Sequence, residues 1–279
     1  MSAASAAVFA DLALWVLLTL VLGAALEWIR ATFSQTSVPQ RGEVSVAAFG
    51  GWDALLIFLG TALLWQGWLG MAAMPQPAEP IGEFTAATLW GLFAGQIFCL
   101  LLLVGYVRLR GLPSLGELFG WRRLGLGAIL GSTLLLMLPG LPLILLSHQV
   151  SLHWLAGFWP DEGPQALVSS LMHCNDPLLQ AGAAFAVVGM APLVEEMVFR
   201  GMAYPMLKRV AGAPLAVFGT SLLFALVHGH IGVLLPLMLF SALLILAYER
   251  SGCLWVPTAM HAVFNGINVA MMLWWPQWA

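Results

Sequence analysis

Three charged side chains lie close together inside a long apolar stretch of the sequence. Glu195, Glu196 and Arg200 belong to the run APLVEEMVFRG at residues 191–201, which is otherwise suited to lipid. A charge at the centre of a membrane helix costs about 3 kcal/mol on insertion scales. Residues placed at that cost usually face the bundle interior, find partners and serve a function. A structural ion pair, or a position near the membrane interface, is the alternative interpretation.

Helical geometry gives the two glutamates different surroundings. Glu196 and Arg200 are i,i+4 neighbours on one helix face and can pair directly. Glu195 points about 140° away from Arg200, so its carboxylate is less neutralised by that contact. We expect Glu196 to be held charged by the guanidinium. Glu195, desolvated and beside a like charge, is suited to proton transfer near neutral pH and is the candidate general base.

Two further pairs that include polar side chains occur in later apolar stretches. Phe224 with His228, and His261 with Asn265, each have the i,i+4 spacing that puts both members on one helix face. A lone histidine in a helix is more often a packing residue than a catalyst, but two histidines in separate stretches beside a diglutamate favour chemistry. Asn265 adds a neutral amide that can donate to an oxyanion.

The composition shows what kind of element must position these residues. Of the 279 residues, 61% are apolar and only 8% are charged, and the mean hydropathy is +0.93. Soluble domains contain near 25% charged residues, so a water-soluble globular enzyme is excluded. The formal charge is −3 without a basic block, so the chain has no electrostatic footprint for nucleic acid. These values indicate an integral membrane protein.

The apolar stretches predict an all-α, polytopic transmembrane helix bundle of about eight spans. A span needs about 20 mostly apolar residues at 1.5 Å per residue. The sixth and seventh stretches are short and are separated only by residues 229–232, so a tight bend or a shared re-entrant unit is an alternative there. The predicted spans are residues 9–29, 52–74, 84–107, 124–147, 178–207, 214–228, 233–249 and 254–275.

Basic residues predict the orientation of the bundle. Apart from Arg200, they fall in four alternate connections, whereas the intervening loops carry acidic residues. The positive-inside rule puts the basic connections in the cytoplasm and both termini outside, which agrees with an even number of spans. The first apolar stretch has no positive region before it, so we expect it to stay as a span rather than to be cleaved as a signal peptide.

Depth along the helices brings the polar residues to one level. Measured from the cytoplasmic ends, Glu195 lies about 20 Å deep, His228 about 21 Å and His261 about 16 Å. The value for His228 depends on a helix that starts at Pro214, a favoured first-turn position. The candidate residues therefore converge near mid-membrane.

The chain is expected to form one membrane-embedded domain with two parts. Residues 1–177 hold N-terminal transmembrane helices and interfacial segments, and residues 178–279 hold the catalytic helices. Residues 114–123 are interpreted either as an interfacial helix or as a loop that snorkels into headgroups. Cys99, Cys174 and Cys253 are widely separated and indicate neither a disulfide framework nor a zinc ribbon.

Three motifs in order, EExxxR at 195–200, FxxxH at 224–228 and HxxxN at 261–265, resemble the CPBP family of intramembrane proteases. This family groups type II CAAX prenyl endopeptidases with bacteriocin-processing and immunity-associated membrane proteins. The resemblance covers residues 182–275. One motif alone would be weak, because EExxxR occurs in many soluble helices. Three motifs on three apolar stretches are a strong signal.

The resemblance implies a role for each residue. Glu195 with His228 would activate the water that attacks the scissile carbonyl. Glu196 and Arg200 would order the site, while His261 and Asn265 would stabilise the tetrahedral oxyanion.

The metal question stays open at this point. HExxH is absent, but Glu195, His228 and His261 would suffice as three ligands for a catalytic zinc with one open position. A metal-free mechanism is the alternative. A Ser–His mechanism fits poorly, because Ser221 lies about two helical turns from His228.

The expected protein is a multi-pass peptidase of the plasma membrane, with the lipid bilayer and a peptide or membrane-protein substrate as partners. Prenylated CAAX ends, leader peptides and membrane-protein stems are all substrate candidates. A transporter or proton relay is the rival class, since ion pathways also use buried Glu, His and Arg. A non-catalytic immunity-type protein is the third interpretation. The sequence does not predict the oligomeric state.

Overall fold

The fold is known here from a computed structural model that describes residues 44–46, 49, 53, 84–155, 171, 174–228 and 231–274. The first predicted span lies outside these residues, and so does the second except for Asp53. Within the described ranges the chain is almost entirely helical and contains no strand. The predicted all-α class is therefore confirmed.

Eight α-helices, two π-helical turns and one 3₁₀ turn make up the described chain. The first π-helical turn, π1, precedes the diglutamate helix, and the second, π2, follows it. The elements are α1 (Ala86–Leu109), α2 (Leu115–Leu118), α3 (Leu126–Leu155), α4 (Pro177–Phe185), π1 (Ala186–Met190), α5 (Ala191–Val198), π2 (Phe199–Ala203), α6 (Tyr204–Val227), a 3₁₀ turn (Ile231–Val233), α7 (Leu234–Ser251) and α8 (Trp255–Trp274).

Five helical runs among the described residues are long and apolar enough to cross a membrane, which fits the predicted polytopic bundle. The third of them includes α4, α5, α6 and both π turns, and α3 continues eight residues beyond the predicted end of its span at 147. The five runs are Ala86–Leu109, Leu126–Ser151, Pro177–Val227, Leu234–Ser251 and Trp255–Leu273.

The long run Pro177–Val227 folds back on itself inside α6. Gly212 interrupts the helix with φ +80° and ψ 166°, a conformation that side chains other than glycine rarely adopt. Phe199 and Phe224 lie on opposite sides of this break, yet their ring centroids are 5.2 Å apart. The two arms are therefore antiparallel, and the second follows Gly212 and contains Pro214, close to the predicted start of the sixth helix.

Each π turn ends just before a proline. Ala191 N–H donates to Ala186 O and Tyr204 N–H donates to Phe199 O, both five residues back. The residues after Ala191 and Tyr204 are Pro192 and Pro205, so each π turn ends two residues before a proline. Proline lacks an N–H, and its ring clashes with the carbonyl four residues back, so a wider turn relieves the clash. The diglutamate helix α5 is thus bounded by two local changes of helical register.

The segment predicted to lie at the membrane interface docks on the protein instead of lying free. It forms the one-turn helix α2, closed by a capping box between Ser114 and Glu117. Phe119 follows and is fully buried, and its carbonyl accepts a hydrogen bond of 2.9 Å from Leu254 N–H. A side chain at position 201 would bring its Cβ within 2.4 Å of the Phe119 ring, a distance that is too short for a contact. The glycine after Arg200 therefore makes room for this docked ring.

Residues from the N-terminal part contact the same end of the bundle. Lys208 pairs with Glu249 at 2.5 Å and donates to Val44 O at 3.3 Å. Asp53 is fully buried and accepts hydrogen bonds from Tyr106 and Arg110. The hydrogen bond that Arg110 donates to Asp53 raises the pKa of the Arg110 guanidinium.

Candidate active site

The centre of the site is the fully buried Glu196 on α5. Its Oε1 accepts a hydrogen bond of 2.7 Å from Arg200 Nη1, one helical turn further on. Arg200 is also fully buried, and its Nη2 donates to Ser241 O on α7 at 3.4 Å. Its guanidinium carbon lies 4.4 Å from the centroid of the Phe224 ring. The i,i+4 pair read from the sequence is present, and two other helices enclose it.

His261 from α8 lies between the two glutamates. Its Nδ1 is 2.8 Å from Glu196 Oε1, and its Nε2 is 3.8 Å from Glu195 Oε2. An ionised carboxylate only accepts hydrogen bonds, so Nδ1 carries the proton in the first contact. In the neutral imidazole, Nε2 then presents its lone pair towards Glu195.

Glu195 has different surroundings from Glu196, as its position on the helix predicts. Its side chain is 30% exposed, against 0% for Glu196. Its Oε2 is buried and has no hydrogen-bond partner among the described residues. Glu195 is therefore the less neutralised carboxylate, and it faces an imidazole.

Phe224 lies on the second arm of α6, and His228 follows at the end of that arm, with the two ring centroids 4.7 Å apart. His228 Nδ1 lies 2.7 Å from Phe224 O. A carbonyl only accepts, so this contact places the proton on Nδ1 and leaves the Nε2 lone pair as the basic atom. The Phe224 ring also contacts the His261 ring, with centroids 5.8 Å apart. Phe224 thus packs between the two histidines.

Asn265 makes a contact that the sequence did not predict. Its Nδ2 donates to Val187 O in the π1 turn at 2.9 Å, and one N–H is thereby used on the backbone. On the other side of this turn, Gln96 Nε2 of α1 donates to Ala186 O at 3.2 Å. Gln96 is not among the residues predicted from the sequence, although a single amide side chain in an apolar span is a signal that points to a functional residue.

The arrangement of possible ligands bears on the zinc alternative. Across the ranges that the structure covers, no three His, Cys, Asp or Glu side chains come together in a way that could hold a metal ion. The suggested set Glu195, His228 and His261 does not form a three-ligand site in this arrangement.

These observations define a multi-span helical membrane protein in which two carboxylates, an imidazole and a guanidinium meet inside the bundle. Residues 177–267 match the family model described as type II CAAX prenyl endopeptidase Rce1-like. No curated protein and no solved structure matches the chain significantly. The matched segment contains all six candidate residues, so the resemblance read from the motifs is confirmed for this part of the chain. The family that this model describes is one of endopeptidases.

Proposed function

We propose that this protein is an intramembrane endopeptidase in which Glu195 activates a water molecule for attack on a peptide bond. The observation that carries the proposal is the position of His261 between the two glutamates, at 2.8 Å from Glu196 and 3.8 Å from Glu195. A structural ion pair needs only Glu196 and Arg200. The second carboxylate, facing an imidazole, adds the group that hydrolysis requires.

The spacing suits a bridging water. His261 Nε2 and Glu195 Oε2 are 3.8 Å apart, so one water molecule can lie within hydrogen-bond distance of both atoms. Polar contacts longer than about 3.5 Å are often bridged by water in this way. Glu195 accepts a proton from this water while the water oxygen forms a bond with the scissile carbonyl carbon. When the carbon–nitrogen bond breaks, Glu195 returns the proton to the leaving amine.

The remaining residues prepare this step. Arg200 holds Glu196 charged, and Glu196 fixes the His261 ring so that Nε2 faces Glu195. His228, at the end of the neighbouring arm, is proposed to assist the same water, as the family resemblance implies. Because both ring nitrogens of His261 face carboxylates, its proposed role is to orient water rather than to bind the oxyanion. Asn265 retains one N–H beyond the one given to Val187.

The substrate proposed is a peptide or membrane-protein segment, and the family description favours a prenylated CAAX end among the candidates. The proposed location is the plasma membrane, with the basic connections in the cytoplasm. A leader peptide and a membrane-protein stem are the other substrate classes to be compared.

The test is cleavage of matched prenylated and unprenylated peptides by purified protein in detergent, with and without a chelator. The proposal predicts cleavage by wild type that Glu195→Gln abolishes and that the chelator leaves unchanged. Glu117→Gln is the matched control, because glutamine also serves in a capping box. Absence of cleavage, together with ion flux in liposomes that depends on Glu195, would instead establish the relay. Absence of both would favour the non-catalytic interpretation.

A further inference from the structure

Two side-chain amides from different helices bind consecutive carbonyls of the π1 turn. Gln96 of α1 donates to Ala186 O at 3.2 Å, and Asn265 of α8 donates to Val187 O at 2.9 Å. Gln96 lies outside the segment that matches the family model. We refer to Gln96 and Asn265 together as the amide bracket.

The backbone explains why one of these carbonyls needs a side-chain donor. In an α-helix, Val187 O would accept from Ala191 N–H, but that group donates to Ala186 O. In a π-helix, Val187 O would accept from residue 192, which is proline and has no N–H. Inside a membrane, where water cannot compensate, an unpaired carbonyl costs several kcal/mol. Asn265 therefore supplies a donor that Pro192 removes.

The bracket also connects the helices that carry the reacting groups. π1 runs directly into α5, which bears Glu195 and Glu196. Asn265 lies one helical turn from His261 on α8. A bond between Asn265 and Val187 thus fixes how α8 is placed along α5, while Gln96 holds the same turn from α1. The distances from His261 to the two glutamates depend on that placement.

We propose that Gln96 and Asn265 are positioning residues, which act on the backbone of π1 and thereby set the geometry of Glu195, Glu196 and His261. This inference rests on the proposed peptidase function. It gives Asn265 a different part from the oxyanion role that the family resemblance implied. A small displacement of reacting groups lowers a rate by about 10²-fold for 1 Å, so the bracket controls kcat more than substrate binding.

The first experiment is a double-variant cycle of Asn265→Leu and Pro192→Ala, measured as kcat and KM for a peptide that wild type cleaves. Asn265→Leu is expected to lower kcat roughly 10- to 100-fold with little change in KM. Adding Pro192→Ala restores an N–H at residue 192, so the double variant should recover most of the loss. If Asn265 donates to an oxyanion instead, the added Pro192→Ala recovers nothing, and that result overturns the proposal.

A second comparison does not depend on Pro192. Gln96→Leu is expected to lower kcat by a similar factor and to shift the pH midpoint of kcat, because the base Glu195 is displaced; a loss of folded protein would lower the amplitude without a shift. Gln180→Leu is the matched control, since it removes a hydrogen bond of 2.6 Å that the Gln180 side-chain amide donates to Cys174 O, just before α4. Wild-type kcat in Gln96→Leu overturns the bracket, whereas lack of cleavage by wild type overturns the peptidase function itself.

Discussion

Glu195 and Glu196 are adjacent in the chain but meet opposite environments. Glu196 is fully buried and shares one oxygen between Arg200 and His261. Glu195 is 30% exposed, and its Oε2 accepts no hydrogen bond from the residues that the structure describes. The difference follows from the angle of about 100° between successive helical residues. Adjacent residues can therefore divide the work of ordering a site and transferring a proton.

Removal of Arg200 should destabilise the fold as well as the site. Arg200→Met leaves the Glu196 carboxylate buried without its cation, and breaking a buried pair in this way costs roughly 3–5 kcal/mol. Denaturant unfolding in detergent should show this loss. The double variant Arg200→Met with Glu196→Leu should be more stable than Arg200→Met alone; equal stability of the two would mean that the pair is not a buried ion pair.

At this scale, the sequence predicts contacts within one helix and not contacts between helices. The pairing of Glu196 with Arg200 follows from spacing alone. The contact of His261 with Glu196 joins residues on two helices, and its register depends on packing that no spacing rule provides. The bond from Asn265 to Val187 depends further on the missing N–H of Pro192.

Among the elements, the reversal at Gly212 decides whether the two arms of α6 meet. Its φ of +80° with ψ of 166° is a region that is essentially restricted to glycine. Without this reversal, the Phe224 ring could not lie against Arg200 and His261.

We expect Gly212→Ala to lower the free energy of unfolding by about 1–3 kcal/mol, because a Cβ is strained in this conformation. Gly219→Ala is the control on the same element, since its Cβ would meet Leu207 at an ordinary 3.7 Å. Equal stability of Gly212→Ala and wild type would show that the chain does not reverse there in this way.

The docked ring of Phe119 provides a second test at the element scale. Gly201→Ala puts a methyl group 2.4 Å from Phe119 Cε1, and Phe119 is fully buried and has little room to move. We expect a lower melting temperature and lower cleavage, since Arg200 precedes this glycine. Phe119→Leu in the same chain should restore both; no rescue would mean that the clash lies elsewhere.

The helix boundaries were largely predictable, and the π turns were not identified. Apolar length and the proline at 214 indicated where helices begin and end. Pro192 and Pro205 signalled a disturbance inside the fifth predicted span. However, a kink, a break and a wider turn are all compatible with a residue that lacks an N–H. Only the neighbouring helices, through groups such as the Asn265 amide, decide among them.

For the whole molecule, the sequence predicts the class of protein more readily than it predicts which helix faces pack against one another. Met137 is buried, whereas Leu135 and Leu138 on the same helix are 74% and 81% exposed. All three are apolar, because the lipid-facing surface and the interior of the bundle both require apolar side chains. Hydrophobic periodicity therefore cannot show which face of α3 packs, although composition does show that the chain is a membrane protein.

The distribution of basic residues predicts the orientation, which can be measured directly. With the native cysteines replaced by serine, a membrane-impermeant maleimide added to intact cells should label Asn175→Cys at the start of α4. It should label Arg122→Cys, in the connection before α3, only after lysis. Both positions are exposed in the structure. The reverse pattern would contradict the positive-inside assignment.

The role of Glu195 as the base is tested most directly by its replacement. The value of kcat for Glu195→Gln is compared with that of wild type on a peptide that wild type cleaves. Glutamine keeps the size of the side chain but cannot accept the proton from water. General acid–base groups contribute about 10²- to 10⁴-fold, so we expect kcat to fall by at least about 10²-fold with an unchanged melting temperature. A kcat within a few-fold of wild type would contradict the role of Glu195 as the base.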